Sequence, residues 1–189
     1  MDLSSLLNSV MGNEKILKEL GSKVQASPDE IKKATSLGIP TLVEALDRNA
    51  REPKSRESLA KALEDHSDDN VEDLEGFLKR VDPNEGNKML DHILGGRKVK
   101  VENNIATNSG LGIGQVSGLM SMLAPILIGM LGNKKKEDNV SSDGLSDLTG
   151  SLGGLLGGGG IMDVAKGMLD RDGDGSFMDD LLGGFFGKK

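Results

Sequence analysis

The residues best placed to do chemistry in this sequence form the run Asp170-Arg171-Asp172-Gly173-Asp174-Gly175. It has the D-x-D-x-D-G form that opens a calcium loop. Calcium takes six to eight hard oxygen ligands, and carboxylates at loop positions 1, 3 and 5 converge on the ion as the chain curls around it. Here those positions are Asp170, Asp172 and Asp174. Gly175 stands at position 6, where the sharp turn falls, and Ser176 at position 7 offers its main-chain carbonyl. Phe177 follows as an apolar anchor. Position 12 departs from the pattern: a bidentate Glu is wanted, but the residue is Leu181, with Asp179 and Asp180 just before it. Asp180 is expected to reach the ion instead, on a shorter side chain. Ca2+ is therefore the expected cofactor, bound weakly, with a Kd of about 10⁻⁵–10⁻³ M. The competing reading is an acidic, glycine-rich turn with no ion. Five aspartates among positions 170–180, with glycine at the turn, favour the ion. A single loop without a partner loop is no switch, so its expected role is to order the chain around it.

Such a loop must be held between helices, and Ile161 to Leu169 and Phe177 to Phe186 both suit that state. Upstream, apolar residues recur at helical spacing and strand-like alternation is nearly absent. Leu3, Leu6, Leu7 and Val10 mark a first helix; Ile16, Leu17 and Leu20 mark a second. Ser27-Pro28-Asp29-Glu30 and Asp82-Pro83-Asn84-Glu85 both read as helix starts: a capping side chain, proline where its missing N–H is harmless, and Glu placed to close a capping box. The second of these helices carries Met89, Leu90, Ile93 and Leu94 and stops at Gly95-Gly96. Further helices are expected over 40–50, 55–65 and 70–81. Val99 and Val101 suggest a short extended piece, too little for a sheet.

The chain also repeats itself. Residues 36–46 (SLGIPTLVEAL) align with 121–131 (SMLAPILIGML), an offset of 125 − 40 = 85. Further back, Glu30, Ile31 and Ala34 face Gln115, Val116 and Leu119. Each copy reads as a helix, a tight turn and a second helix that starts at the proline, because proline cannot donate from a helix interior. The second copy has lost its charges and is expected to be the buried one. The predicted fold is all-α. A multihelical globule over 1–133 contains two related helical hairpins, a flexible Gly-rich linker follows over 134–160, and a calcium-loop helix pair occupies 161–189.

Composition narrows the function. Of 27 glycines, 20 lie in 110–189, whereas 36 of the 53 charged residues lie in 1–109. With no Cys there is no disulfide framework, thiolate site or thiol nucleophile. A net charge of −7 with four Phe and no Trp or Tyr speaks against nucleic acid, since phosphate neutralisation and base stacking are both undersupplied. Residues 30–49 have helix-turn-helix spacing, but Glu44 and Asp47 fall where that motif packs apolar side chains. Met1-Asp2-Leu3 lacks the basic start of a secretory signal, so the expected compartment is the cytoplasm.

Residues 103–133 carry no charge, which raises a membrane span. The dense apolar part is only Leu119 to Leu131, with Pro125 inside, and the repeat aligns it with a charged segment, so a buried hairpin is expected. His66 and His92 are the only histidines. The first reads as part of a solvated acidic loop and the second as a surface residue, against a shared metal or catalytic dyad. Gly153 to Gly160 lacks the Lys-Ser or Lys-Thr of a phosphate loop. Met162, Met168 and Met178, with Leu181, Leu182, Phe185 and Phe186, offer an adaptable apolar surface around the ion loop.

The run 87–95 (NKMLDHILG), followed by Ser109-Gly110-Leu111 and 123–129 (LAPILIG), resembles the bacterial YidB-related family (domain of unknown function 937). Residues 40–50 (PTLVEALDRNA) fit it too, and the Gly-rich tail is similar more loosely. The resemblance implies a multihelical, cytoplasmic bacterial protein and brings no catalytic residues. The expected function is non-enzymatic: calcium binding at the C-terminal loop and action through protein–protein contacts. The alternative is a membrane- or envelope-associated accessory protein using the apolar Gly-rich half.

Overall fold

The structure, a computed structural model, describes residues 3–155 and 161–169. Among the described residues there is no strand. The helices are α1 (Leu3–Gly12), α2 (Glu14–Val24), α3 (Pro28–Arg51), α4 (Pro53–Asp65), α5 (Leu74–Arg80), α6 (Pro83–Leu94), α7 (Lys98–Ser109), α8 (Ile113–Glu137), α9 (Leu145–Leu155) and α10 (Ile161–Leu169). Short 3-10 turns lie at Gly95–Arg97 and Ser142–Gly144. The starts read from sequence hold for α3 and α6. Ser27 accepts from the Glu30 amide while the Glu30 carboxylate accepts from the Ser27 amide at 2.9 Å, and Asp82 accepts from the Asn84 amide. α6 ends at Gly95, whose φ of 54° suits glycine.

The two hairpins are not hairpins. α3 and α8 are single helices of 24 and 25 residues with Pro40 and Pro125 inside them. An interior proline costs ~3 kcal/mol or more locally. Packing outweighs that cost: every residue from Gly38 to Asp47, and every residue from Leu119 to Gly132, is buried. A helix-turn-helix is thereby removed, since no turn exists at Gly38. The extended piece at Val99 and Val101 is helical too, inside α7.

The duplication is real and longer than the aligned residues. α3 and α8 start 113 − 28 = 85 residues apart. Their N-caps, Ser27 and Gly112, and the left-handed caps that end α2 and α7, Gln25 and Gly110, keep the same offset. The copies also clasp each other. Gln115 Nε2 donates to the carbonyls of Val24 and Gln25, at 3.0 and 2.8 Å, while Glu30 of the other copy lies beside Gly110. α2 and α4 pack on α8 as well as on α3, and α7 and α9 pack on α3. One apolar cluster results, which includes the fully buried Leu42, Leu46, Leu119 and Leu127.

The expected flexible linker over 134–160 is ordered structure through residue 155. α8 runs on to Glu137, and α9 buries Leu145, Leu148 and Leu152 against the core. Gly150, Gly153 and Gly154 lie within helix α9, and residues 156–160 lie outside the described residues. α10 lies on α3 as well, with Met168 and Leu169 buried and Thr41 Oγ1 3.3 Å from Met168 Sδ. This part of the expected 161–189 helix pair thus packs on the globule, and residues 170–189 lie outside the described residues.

Candidate functional site

The predicted metal ligands Asp170, Asp172, Asp174, Ser176 and Asp180 lie outside the described residues. The helix that leads to them, α10, is described up to Leu169, which is 1% exposed. Among the described residues no group of three or more His, Asp or Glu is placed to hold a metal ion.

A different site does come together, on the outward side of α3. Residues four apart share a helix face, and here Glu44–Arg48 and Asp47–Arg51 form two such pairs. Arg48 Nε donates to Glu44 Oε1 at 3.2 Å and Arg51 Nε to Asp47 Oδ2 at 2.8 Å. Both carboxylates are buried, at 7% and 9% exposure. Asp47 is further held by α9: Thr149 Oγ1 stands 2.9 Å from Asp47 Oδ1 and 2.9 Å from the Leu145 carbonyl, so one hydroxyl proton serves both. The Asp47 hydrogen bond and charge, helped by Glu44 and Asp147, hold the Arg51 guanidinium above its ordinary pKa. With Gly150 and Gly153 of α9 and Lys166 of α10, these residues enclose a cleft of 460 Å³. It offers guanidinium groups held by carboxylates and an exposed ammonium, which is the equipment for binding an anion.

His66 is the second polar centre. Its Nδ1 is 2.8 Å from Asp69 Oδ2 and its Nε2 is 3.9 Å from Glu85 Oε1 of α6, with a side chain only 20% exposed. It closes α4 and borders a cleft of 190 Å³ with Arg80, Asp82 and Pro125. The solvated loop expected here is thus a partly buried contact between α4 and α6. His92 does not join it. It is exposed on α6, seven residues beyond Glu85, or about 10 Å along the axis.

α8 is the one described helix long and apolar enough to cross a bilayer, and 72% of its most apolar window is buried inside the structure.

The pairing of one core helix with a second at a fixed offset runs from α2 to α8. Residues 5–134 match the model of a family described as bacterial protein of unknown function (DUF937). The chain belongs to this family. The DUF937 match covers α3, all but the last turn of α8 and their cross-clasp, and it stops before α9, which completes the α3 cleft. No curated protein and no solved structure matches the chain.

Sequence reasoning missed the α3 cleft. The (i, i+4) acid–base pairs were legible, but Thr149, 102 residues from Asp47, and Lys166 were assigned to a linker and a tail, where no contact with α3 was anticipated.

Proposed function

We propose that this DUF937 member is a non-catalytic calcium-binding protein that acts through protein contacts in the bacterial cytoplasm. The ion is taken by the carboxylates of Asp170, Asp172 and Asp174, the Ser176 carbonyl and Asp180. One observation carries the reading: the residues immediately before Asp170 are the last turn of a helix whose Met168 and Leu169 are buried against α3. A calcium loop needs a fixed incoming helix to bring its first ligand to the ion, and α10 is fixed. The helical globule then serves as the body from which the loop is presented.

Calorimetry on the full chain tests this. Calcium should give a saturable heat with a Kd of about 10⁻⁵–10⁻³ M, magnesium a much weaker one, and Asp172→Ala should abolish the signal. Absence of calcium heat, or heat unchanged in Asp172→Ala, removes the ion. Capture of partner proteins by the wild-type chain in calcium but not in chelator, and not by Asp172→Ala, is expected for action through protein contacts. Capture of the same proteins under all three conditions would detach the contacts from the loop.

A further inference from the structure

The duplication supplies an internal control for the α3 cleft. The 85-residue offset places Glu44 and Asp47 of α3 opposite Gly129 and Gly132 of α8 in the alignment (129 − 44 = 85; 132 − 47 = 85). In the α8 copy the seam is shut. A Cβ on Gly132 would collide with the Leu63 carbonyl of α4, and one on Gly129 would lie 2.8 Å from Val71 Cγ1. At Gly132 backbone rests directly on backbone, and at Gly129 it rests on the Val71 and Asp69 side chains. In the α3 copy the pattern is inverted: the two carboxylates are on the core helix and the glycines, 150 and 153, are on the covering helix. The same packing that closes one seam leaves a cleft of 460 Å³ in the other.

Burying two carboxylates is costly unless partners are supplied. A glycine seam, as on α8, avoids that cost, so the open and charged version is not a packing default. Its volume falls within the range of small-molecule sites, roughly 300–1,000 Å³. Its charges set the ligand. Glu44 and Asp47 are each matched by an arginine on the next turn. Lys166 of α10 adds a third cation to a lining that holds two carboxylates, and Asp147 acts on Arg51 from outside that lining. Arg51 commits Nε to Asp47, and its Nη2 passes over Gly150, 4.0 Å from where a Cβ would stand. Glycine there leaves that donor open to the cleft.

We propose that the cleft between α3, α9 and α10 binds a small oxyanion, a carboxylate or a phosphate, between Lys166 and the Arg51 guanidinium. Asp47 and Thr149 act as positioning residues that hold Arg51. The site shares no residue with the proposed calcium ligands, and Lys166 stands on the helix that leads to them.

Amide NMR on the full chain is the test, with inorganic phosphate and acetate as separate probes and chloride as the ionic-strength control. One probe or both should give saturable shifts confined to residues 149–153 of α9, 163–168 of α10 and the facing turns of α3; the probe that binds more tightly names the anion. Lys166→Ala should weaken binding roughly tenfold or more, the fold-change of a lost charge-assisted hydrogen bond. Gly150→Leu, which fills the cleft without altering its charge, should abolish it. Lys166 is exposed, so its replacement leaves the fold intact. Shifts that fail to saturate, that chloride reproduces, or that persist at full strength in Lys166→Ala overturn the proposal.

Discussion

Lys15 of α2 and Lys79 of α5 both reach the Glu75 carboxylate, at 2.6 and 2.8 Å. Hydrogen bonds from Lys15 and then Lys79 lower its pKa from the usual 4.5 to about 2. A carboxylate held lower in the folded than in the unfolded state contributes stability that is fully present above the unfolded pKa. That contribution is lost as pH falls through the folded one. Glu75 therefore supports the α2–α5 contact above about pH 4.5 and ceases to do so as pH falls toward 2. Urea midpoints measured across that window should fall for the wild type, and part of the slope should vanish in Glu75→Gln. An identical slope in the variant would assign the acid sensitivity elsewhere. The contact joins residues 60 positions apart, so nothing local in the sequence announced it. The same holds for Asp47 and Thr149: the charge spacing on α3 was readable, and its distant partner was not.

At the scale of elements, the repeat was legible because the two long helices share their proline and their apolar register. The break predicted at each proline was wrong because a local steric rule met helices buried on every side. Proline does leave a mark. Pro125 has no N–H, so the Ser121 carbonyl one turn earlier loses its helical donor. That carbonyl lies against Gly86 of α6, where a Cβ would land on it. The α6–α8 crossing is thus built on a glycine that admits a freed carbonyl. Helix propensity alone favours Gly86→Ala by ~1 kcal/mol, but overpacking of this kind costs ~1–3 kcal/mol. A net loss of up to ~2 kcal/mol is expected in chemical denaturation. Gly114→Ala, on the exposed first turn of α8 with no atom within 4 Å of the added Cβ, should be neutral or stabilising. If both substitutions stabilise, the crossing yields more easily than its geometry states.

The whole molecule does not end where the family match ends. DUF937 similarity covers 5–134, and the sequence pattern likewise placed a domain boundary at 133, because the uncharged run ends there at Lys134-Lys135-Lys136 and a polar, then Gly/Leu-rich stretch follows. Yet α9 and α10 cover the outer side of α3 with Leu145, Leu148, Leu152, Met168 and Leu169, all buried. Five such side chains, at ~1.5–3 kcal/mol each, contribute roughly 8–15 kcal/mol of gross hydrophobic stabilisation. That is comparable with the net stability of a whole domain, about 5–15 kcal/mol. Removing residues 134–189 also strips Asp47 of Thr149 and leaves the polar face of α3 half built. A chain of residues 1–133 is therefore expected to lose its cooperative urea transition, or to show a much lower midpoint, when followed by circular dichroism against the full chain. An equal midpoint would mean that α3 is stable without its cover, and that the two C-terminal helices are an accessory to the fold rather than its completion.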